Sequence, residues 1–426
     1  MIIQNFRELA INSRKKTALK ILITGLDTAF PEKPIKKIIK SNKIITQKKS
    51  FVLSAFENIF LISYGKAADS MTKTINSILK IKAGIIVIPE ASDSLVKSKK
   101  FKVIHSGHPI PNQKSVMAAK SIMHLLESVK KKDFVIFLVS GGGSSLISLP
   151  RGITLTEKKN ITNELLKCGA TIQEFNCVRK HLSKIKGGMM VENLQCDGVA
   201  LVMSDVHDND LSSISSGCTY FDRTTFQDAK KIIMKYNLSH KIPKNILKRF
   251  NAGALGKIKE TPKRSKITNQ VISTNNDCLK EMAKKAKQLG FTTKIFSISG
   301  NIELASKKLV KLIPKKKNSC VIFGGETTVR VVGNGKGGRN QELVLRILQK
   351  LQNSSDDVVF VSLGTDGIDG NTKHAGAIIE NFPISSQKIS KYLKNNDSNS
   401  FFKKYGGLIK TGYTHTNLMD IGIILR

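Results

Sequence analysis

Two cations stand where a positive charge has little reason to be. Arg339 opens the helical pattern RNQELVLRILQKLQ behind the glycine-rich stretch GNGKGG. Lys66 follows the apolar run NIFLISYG at the start of another pattern, KAADSMTKTINSILK. The first N–H groups of a helix are unpaired and carry partial positive charge, so a cation there is mildly unfavourable. Both placements make sense if a shared anion belongs between them. The plain alternative for Lys66 is a side chain that points into water.

Other residues have the chemistry to hold an anion. Ser140, Gly141, Gly142, Gly143, Ser144 and Ser145 follow the apolar run FVIFLVS without a break. Glycines let backbone N–H groups approach a ligand, and the serines add hydroxyl donors, so SGGGSS reads as a phosphate cradle more than as a flexible turn. Gly335, Gly337 and Gly338 offer a second such loop, in which GNGKGG matches G-x-G-x-x-G. That spacing alone is a weak dinucleotide signal. The residues before it, TTVRVV, alternate and carry Arg330, as half of a hairpin does. No G-x-x-x-x-G-K-[ST] loop occurs.

Carboxylates also follow apolar runs: Asp205, Asp208 and Asp210 in SDVHDND, Glu326 in GGETT, and Asp366 and Asp369 in GTDGIDG. Mg²⁺ takes one or two carboxylates with phosphate oxygens and water, so Asp205, Asp210, Glu326 and Asp366 are the candidate metal ligands. Taken singly, each is equally a capping or turn residue. His105, His108 and His181 show no metal-ligand spacing on a helix.

Strands must carry these loops. NIFLISYG, AGIIVIPE, FVIFLVS and GVALVMSDV read as buried strands, each followed by a loop or helix. TEKKNITNELLKCGA is a helix with Thr154 and Glu157 in capping-box spacing. IQEFNCVRKHLSKI is another. After a polar, proline-bearing connector over about residues 230–266, the pattern restarts with NQVISTNN and TTKIFSIS. CVIFGGETTVRVV reads as two short strands joined at GGE, and the closing segment ends in a last strand. Strand–helix alternation argues for parallel, helix-covered sheets, whose ligands bind outside the carboxyl ends of the strands.

Composition bounds the partners. A chain of 426 residues with 40% hydrophobic content is comfortable for two soluble domains. The net charge of +38 raises the question of nucleic acid, but the lysines are dispersed and Trp is absent, so specific nucleic-acid binding is not expected. The six cysteines have no C-x-x-C or zinc spacing and fit a reducing compartment. No secretory signal or membrane-length apolar run is visible, and a cytoplasmic location is the expectation.

In this order the motifs resemble the glycerate 2-kinase family, two-domain kinases whose C-terminal part is called MOFRL. The likeness is carried by GKAA (65–68), GHPIPN (107–112), SGGGSSL (140–146), GITLTEK (152–158), EFNCVRKHLSKIKGG (174–188), ISSGCTYFDRTTFQDA (214–229), GGETTVRVVGNGKGGRNQEL (324–343), GTDGIDG (364–370) and TGYTHTN (411–417). It spans nearly the whole chain. The resemblance implies an α/β fold with a Rossmann-like N-terminal domain, placed at residues 1–245. A smaller α/β MOFRL domain follows at 246–426, with the active-site cleft between the two. It implies ATP-dependent phosphorylation of D-glycerate to 2-phospho-D-glycerate, with Mg²⁺ as the expected metal. The family's key lysine and arginine fall on Lys66 and Arg339. The oligomeric state stays open, a homodimer being one option.

The family also carries the label hydroxypyruvate reductase. That alternative would use a nicotinamide cofactor, with GNGKGG on the pyrophosphate and Asp366 on the ribose hydroxyls. Some loops depart from the family pattern: His207, Asp208 and Asn209 in SDVHDND, Cys218 in SGCT, Tyr413 and His415 in TGYTHTN, and Asn371 after GTDGIDG. Most of these changes remove loop-shaping prolines or glycines, which bears on loop geometry and substrate preference.

Overall fold

The uninterrupted apolar runs of the first half become strands buried on both faces, as a parallel sheet requires. In a computed structural model, which describes residues 2–206, 208–352 and 357–426, the chain divides into two units. One is Pro31–Ile272; the other joins Met1–Phe30 to Ser273–Arg426.

The sheet of the first unit contains β1 (Ile59–Tyr64), β2 (Ala83–Pro89), β3 (Phe101–Ser106), β4 (Phe134–Val139), β5 (Asp197–Met203) and β6 (Thr268–Ser273). Their order is β3-β2-β1-β4-β5-β6. The first five are mutually parallel. This is the doubly wound order, and the direction of strand addition reverses between β1 and β4. The loops that leave β1 and β4 are SYGKAA and SGGGSS.

A second core in this unit is built by helices Leu155–Lys167, Ile172–His181, Phe226–Lys235 and Lys244–Ala254, around Phe226, Ile233, Ile246 and Phe250. The expected capping box of Thr154 and Glu157 forms, and Thr171 with Glu174 and Thr225 with Asp228 repeat it. The segment read as a polar connector is therefore partly core. Its apolar residues Ile246 and Phe250 recur at i, i+4 and face the helix Phe226–Lys235.

The sequence-based boundary at 245/246 falls inside the helix Lys244–Ala254, and the division found here lies at 272/273. The first thirty residues also change sides. Helix Ser13–Ala29 buries Ala18, Leu22 and Leu26, and a Cβ on its Gly25 would lie 2.6 Å from Met282 Sδ. Thr416 Oγ1 donates to the Ala29 carbonyl at 2.5 Å. Contacts so distant in sequence leave no mark on local composition.

The second unit holds β7 (Thr292–Asn301), β8 (Ser319–Thr328), β9 (Val359–Gly364), β10 (Gly376–Glu380), β11 (Leu408–Ile409) and β12 (Asp420–Leu425), in the order β7-β8-β12-β9-β10-β11. β7 and β8 are parallel; the other pairs are antiparallel. The expectation of a parallel sheet thus holds for the first unit and fails for most of the second, because the last strand of the chain inserts between β8 and β9 and runs against both. GGE is not a turn either. It lies within β8, where Gly325 has φ +129° and a Cβ would sit 2.0 Å from the Ile298 carbonyl oxygen of β7. Among the described residues no helix is long and apolar enough to cross a membrane.

Candidate active site

In the first unit the loops after β1 and β4 are bound to each other. Lys66 N donates to the Gly141 carbonyl at 2.8 Å, Ala67 N to Ser140 Oγ at 3.0 Å, and Ser140 N to the Tyr64 carbonyl at 3.2 Å. A Cβ at Gly142, which has φ +85°, would lie 3.0 Å from the His108 ring and 3.4 Å from Lys66 Cγ. Lys66 and His108 therefore lie against the middle of SGGGSS. The cis bond His108–Pro109 lies in the same GHPIPN loop.

Ser144 Oγ meets Ser216 Oγ at 2.8 Å, and Ser145 Oγ donates to the Gly142 carbonyl at 3.0 Å. Ser140 and Gly143 are tied to Ser215: its Oγ donates to the Ser140 carbonyl, and a Cβ on Gly143 would come within 2.2 Å of that Oγ. Ser215 and Ser216 both have positive φ, at 50° and 58°, which is unusual for serine. Sequence reasoning missed this ISSG support, although Ser-Ser-Gly after the SDV loop carried a turn signal.

Gly65 is the tightest point of the arrangement. Its φ is +127°, and a Cβ would lie 2.1 Å from Ser140 Oγ and 2.6 Å from the Ser140 carbonyl oxygen. The backbone atom cannot swing away as a flexible side chain could. Gly65→Ala is expected to cost about 3 kcal/mol or more, combining backbone strain with overpacking. A urea-unfolding midpoint equal to that of the parent would show that the two loops do not meet as described.

The acidic loop after β5 divides by role. Asp205 is half-buried; burial pushes its carboxyl above the usual range while the Lys66 ammonium pulls it back. Asp210 is a turn-former whose carboxylate accepts from Ser212 N at 3.0 Å, Ser212 Oγ at 2.7 Å and Ser213 Oγ at 2.6 Å. Asp208 is exposed, and His207 lies outside the described residues.

In the second unit Arg339 is the first residue of helix Arg339–Leu351. Much of the negative charge that its position demanded comes from the protein itself. Asp369 accepts from Asn340 N at 3.0 Å and Gln341 N at 2.8 Å, so a carboxylate occupies the helix start. Burial pushes that carboxyl up to about 6, against the pull of those two amides. The Arg339 guanidinium makes a forked pair with Asp420, Nε–Oδ2 at 2.5 Å and Nη2–Oδ1 at 2.9 Å, and its Nη1 meets Glu326 Oε1 at 2.8 Å. Burial opposes its charge, but Asp420 and then Glu326 hold it above the ordinary arginine value. The Arg339 side chain as a whole remains 29% exposed. A cleft of about 430 Å³ within this unit is lined by Glu326, Thr328, Val329, Val331, Gly338 and Arg339.

GNGKGG is a different kind of loop from the one expected. The amides of residues 332–337 already donate: Val332 and Gly333 to Asn396 Oδ1, Asn334 to Asn395 Oδ1, Gly335 to the Asn395 carbonyl, Lys336 to Asp397 Oδ1 and Gly337 to Asn371 Oδ1. Gly335 and Gly337 thus cannot offer their N–H groups to a phosphate. Their lack of a side chain serves close packing, since a Cβ on either would lie 2.4 Å from Asp397 or Ser398. On Gly338 it would lie 2.3 Å from Asp369 Cγ. The loop is a strap that seats Arg339, and with its amides spent it has no pyrophosphate cradle to give a dinucleotide.

Among the described residues no three His, Cys, Asp or Glu side chains are grouped to hold a metal. The candidate ligands fall in both units, Asp205 and Asp210 in the first and Glu326 and Asp366 in the second. Asp366 Oδ1 accepts from Ile368 N at 3.2 Å, and both Asp366 Oδ1 and Asp420 Oδ1 lie beside Gly364, 3.1 and 3.4 Å from a Cβ built there. The carboxylate oxygens are hard donors of the kind Mg²⁺ takes.

A lysine and a glycine–serine loop at the reversal point of a doubly wound sheet place the chain among α/β proteins that bind ligands at the strands' carboxyl ends. Residues 17–251 match the family described as a domain of unknown function (DUF4147), and residues 319–420 match the MOFRL family. The chain is 35% identical to a glycerate 2-kinase of Pyrococcus horikoshii over 96% of this chain and 97% of that one. It is 36% identical to a D-glycerate 2-kinase of Thermotoga maritima over 97% of this chain and 99% of that one. The crystal structure of a glycerate kinase from Thermotoga maritima superposes with a TM-score of 0.81 at 34% identity, covering 96% of this chain and 98% of its own. The chain belongs to the glycerate 2-kinase family.

Proposed function

We propose that this chain is a glycerate 2-kinase that transfers the terminal phosphoryl group of ATP to the C2 hydroxyl of D-glycerate. The observation that carries the reading is the seat of Lys66, held against Gly142 of SGGGSS at the reversal point of the sheet. Near-full-length identity to glycerate 2-kinases supports it. Phosphoryl transfer needs little covalent chemistry from a protein; it is mostly positioning and charge stabilisation. Lys66 and Arg339 are the two cations proposed for the glycerate carboxylate and the transferring phosphoryl group. Ser140, Gly141, Gly142, Gly143, Ser144 and Ser145 receive the nucleotide phosphates.

Arg339 is fixed by Asp420 and Glu326, so its guanidinium pays little ordering entropy when it meets an anion. Mg²⁺, when bound, would neutralise phosphate charge, with Asp205 in the first unit or Asp366 in the second among the carboxylates that could hold it; the Asp210 oxygens are already engaged in a turn. The dispersed basic charge attracts small anionic substrates. A cytoplasmic setting suits this chemistry.

The test is direct. Purified chain is incubated with D-glycerate, ATP and Mg²⁺, and the product is read by ³¹P NMR. A parallel arm contains hydroxypyruvate and NADH and is followed by absorbance. The expected result is ADP release with 2-phosphoglycerate and no oxidation of NADH. Formation of 3-phosphoglycerate, or NADH oxidation without phosphorylation, would overturn the reading.

A further inference from the structure

Three basic side chains, two buried and one half-buried, are gathered in the first unit, and no carboxylate among the described residues pairs with them. Lys158 is 3% exposed and Lys186 0%. Arg179 Nε is buried without a hydrogen-bond partner. Lys158 Nζ donates to Ser148 Oγ at 2.9 Å, Lys186 Nζ to the Ser144 carbonyl at 3.0 Å, and Arg179 Nη2 to the same carbonyl at 3.4 Å. These acceptors are all neutral, and an ammonium with three N–H donors is far from satisfied by one.

The neighbouring residues on the same segment solve the problem in the usual way. Lys180 pairs with Asp222 at 3.2 Å, and His181 with Glu260 at 3.2 Å. The acids beside the three cations supply no charge. Burial pushes the Tyr64 hydroxyl and the Cys218 thiol upward, so both stay protonated. The Tyr64 hydroxyl, on a residue that is 0% exposed, lies against the Cys218 thiol, so the two protonated groups face each other.

Charges of one sign are not kept together in a protein interior unless something offsets them. Burial drives the Lys186 ammonium down to about 7 and the Arg179 guanidinium to about 10. Lys158 falls well below the lysine range through burial and then the repulsion of Lys186 and Arg179. Ser144, whose carbonyl Arg179 and Lys186 share, is half-buried and belongs to the SGGGSS loop; Ser148, which holds Lys158, lies four residues on.

We propose that Lys158, Arg179 and Lys186, with Ser144 between them, form a binding site for a phosphate oxyanion. A guanidinium and two ammoniums match the acceptor oxygens of a tetrahedral anion, and charge-assisted bonds replace the charge that the protein withholds. Inorganic phosphate and a nucleotide phosphate share this chemistry. Only the choice of a nucleotide as the natural source rests on the kinase reading.

The experiment measures binding of inorganic phosphate and, separately, of ATP to the full chain, by calorimetry and by the rise in unfolding temperature against chloride at matched ionic strength. Lys186→Met is compared with the parent. Its methyl thioether fills the lysine stem's space and removes a buried charge, so in phosphate-free buffer its unfolding temperature should match or exceed the parent's. Affinity for the oxyanion should fall about tenfold or more. Lys158→Met gives the same reading if Lys186→Met does not fold.

Binding of phosphate alone identifies a free-anion site, and binding of ATP alone identifies a nucleotide site; either supports the proposal when the methionine variants weaken it. If neither anion stabilises the parent beyond chloride, or the variants bind as tightly, the proposal falls. Glycerate phosphorylation is assayed on the parent alone, so loss of the kinase reading is seen separately from loss of the oxyanion site.

Discussion

Arg339→Ala is expected to lower the rate of ATP-dependent glycerate phosphorylation by about 10²–10³-fold, the usual loss when one preorganised charge contact to a transition state is removed. The guanidinium is held by a fork on Asp420 and a third contact to Glu326, yet part of the side chain stays open to solvent. The same fork complicates the experiment. The Asp420 side chain is 3% exposed, and removing its partner leaves a buried carboxylate, which costs about 3–5 kcal/mol. Asp420→Asn added to Arg339→Ala should recover much of that stability and none of the rate. Arg339→Lys keeps the charge and loses the planar fork, so it should fall between parent and alanine variant. Parent-like turnover in folded Arg339→Ala would remove Arg339 from the chemistry.

Lys66→Met should produce a rate loss of similar size, about 10²–10³-fold, with a smaller structural penalty. The backbone of Lys66 helps fix the junction of the two loops, through the bond from Lys66 N to the Gly141 carbonyl, and methionine keeps that bond. The residue is half-buried, and methionine preserves most of the stem. Its unfolding free energy is therefore expected within about 1 kcal/mol of the parent. The ammonium also pulls the Asp205 carboxyl down against burial. Without it that carboxyl should titrate higher, a shift readable by ¹³C NMR. Unchanged turnover together with an unmoved Asp205 titration would show that Lys66 is a surface lysine.

The two predictions draw on different kinds of information. Lys66 and SGGGSS were readable from local pattern: an apolar run sets a buried strand, glycine marks a backbone that must come close to another, and strand ends are where such sheets bind ligands. That the two loops touch was not readable, because it depends on β1 and β4 being neighbours, and strand order is a property of the whole sheet. The contact-based division differs from the sequence-based boundary for the same reason. Helix Ser13–Ala29 belongs with the second unit only because its buried stripe meets residues such as Met282, far along the chain.

GNGKGG is the sharper lesson. Its glycines pointed to a cradle, but glycine signals only that a side chain cannot fit; it does not say whether a ligand or the protein's own backbone fills the space. Here the turn around Asn395, Asn396 and Asp397 fills it and takes the amides. Likewise Arg339 at a helix start signalled negative charge, and the protein's own carboxylates, Asp369, Asp420 and Glu326, supply much of what a guest anion was expected to bring.

By itself the sequence determined which residues carry charge, where strands and capped helices begin, and, through its resemblance, the family. Those properties depend on side-chain type and on spacing within a few residues. Tertiary structure decided the pairing: which carboxylate neutralises Arg339, which loop braces Lys66, and which three cations share an interior without a counter-charge. Coulomb and packing energies depend on distance in space, and a folded chain brings together residues whose separation along the sequence carries no record of it.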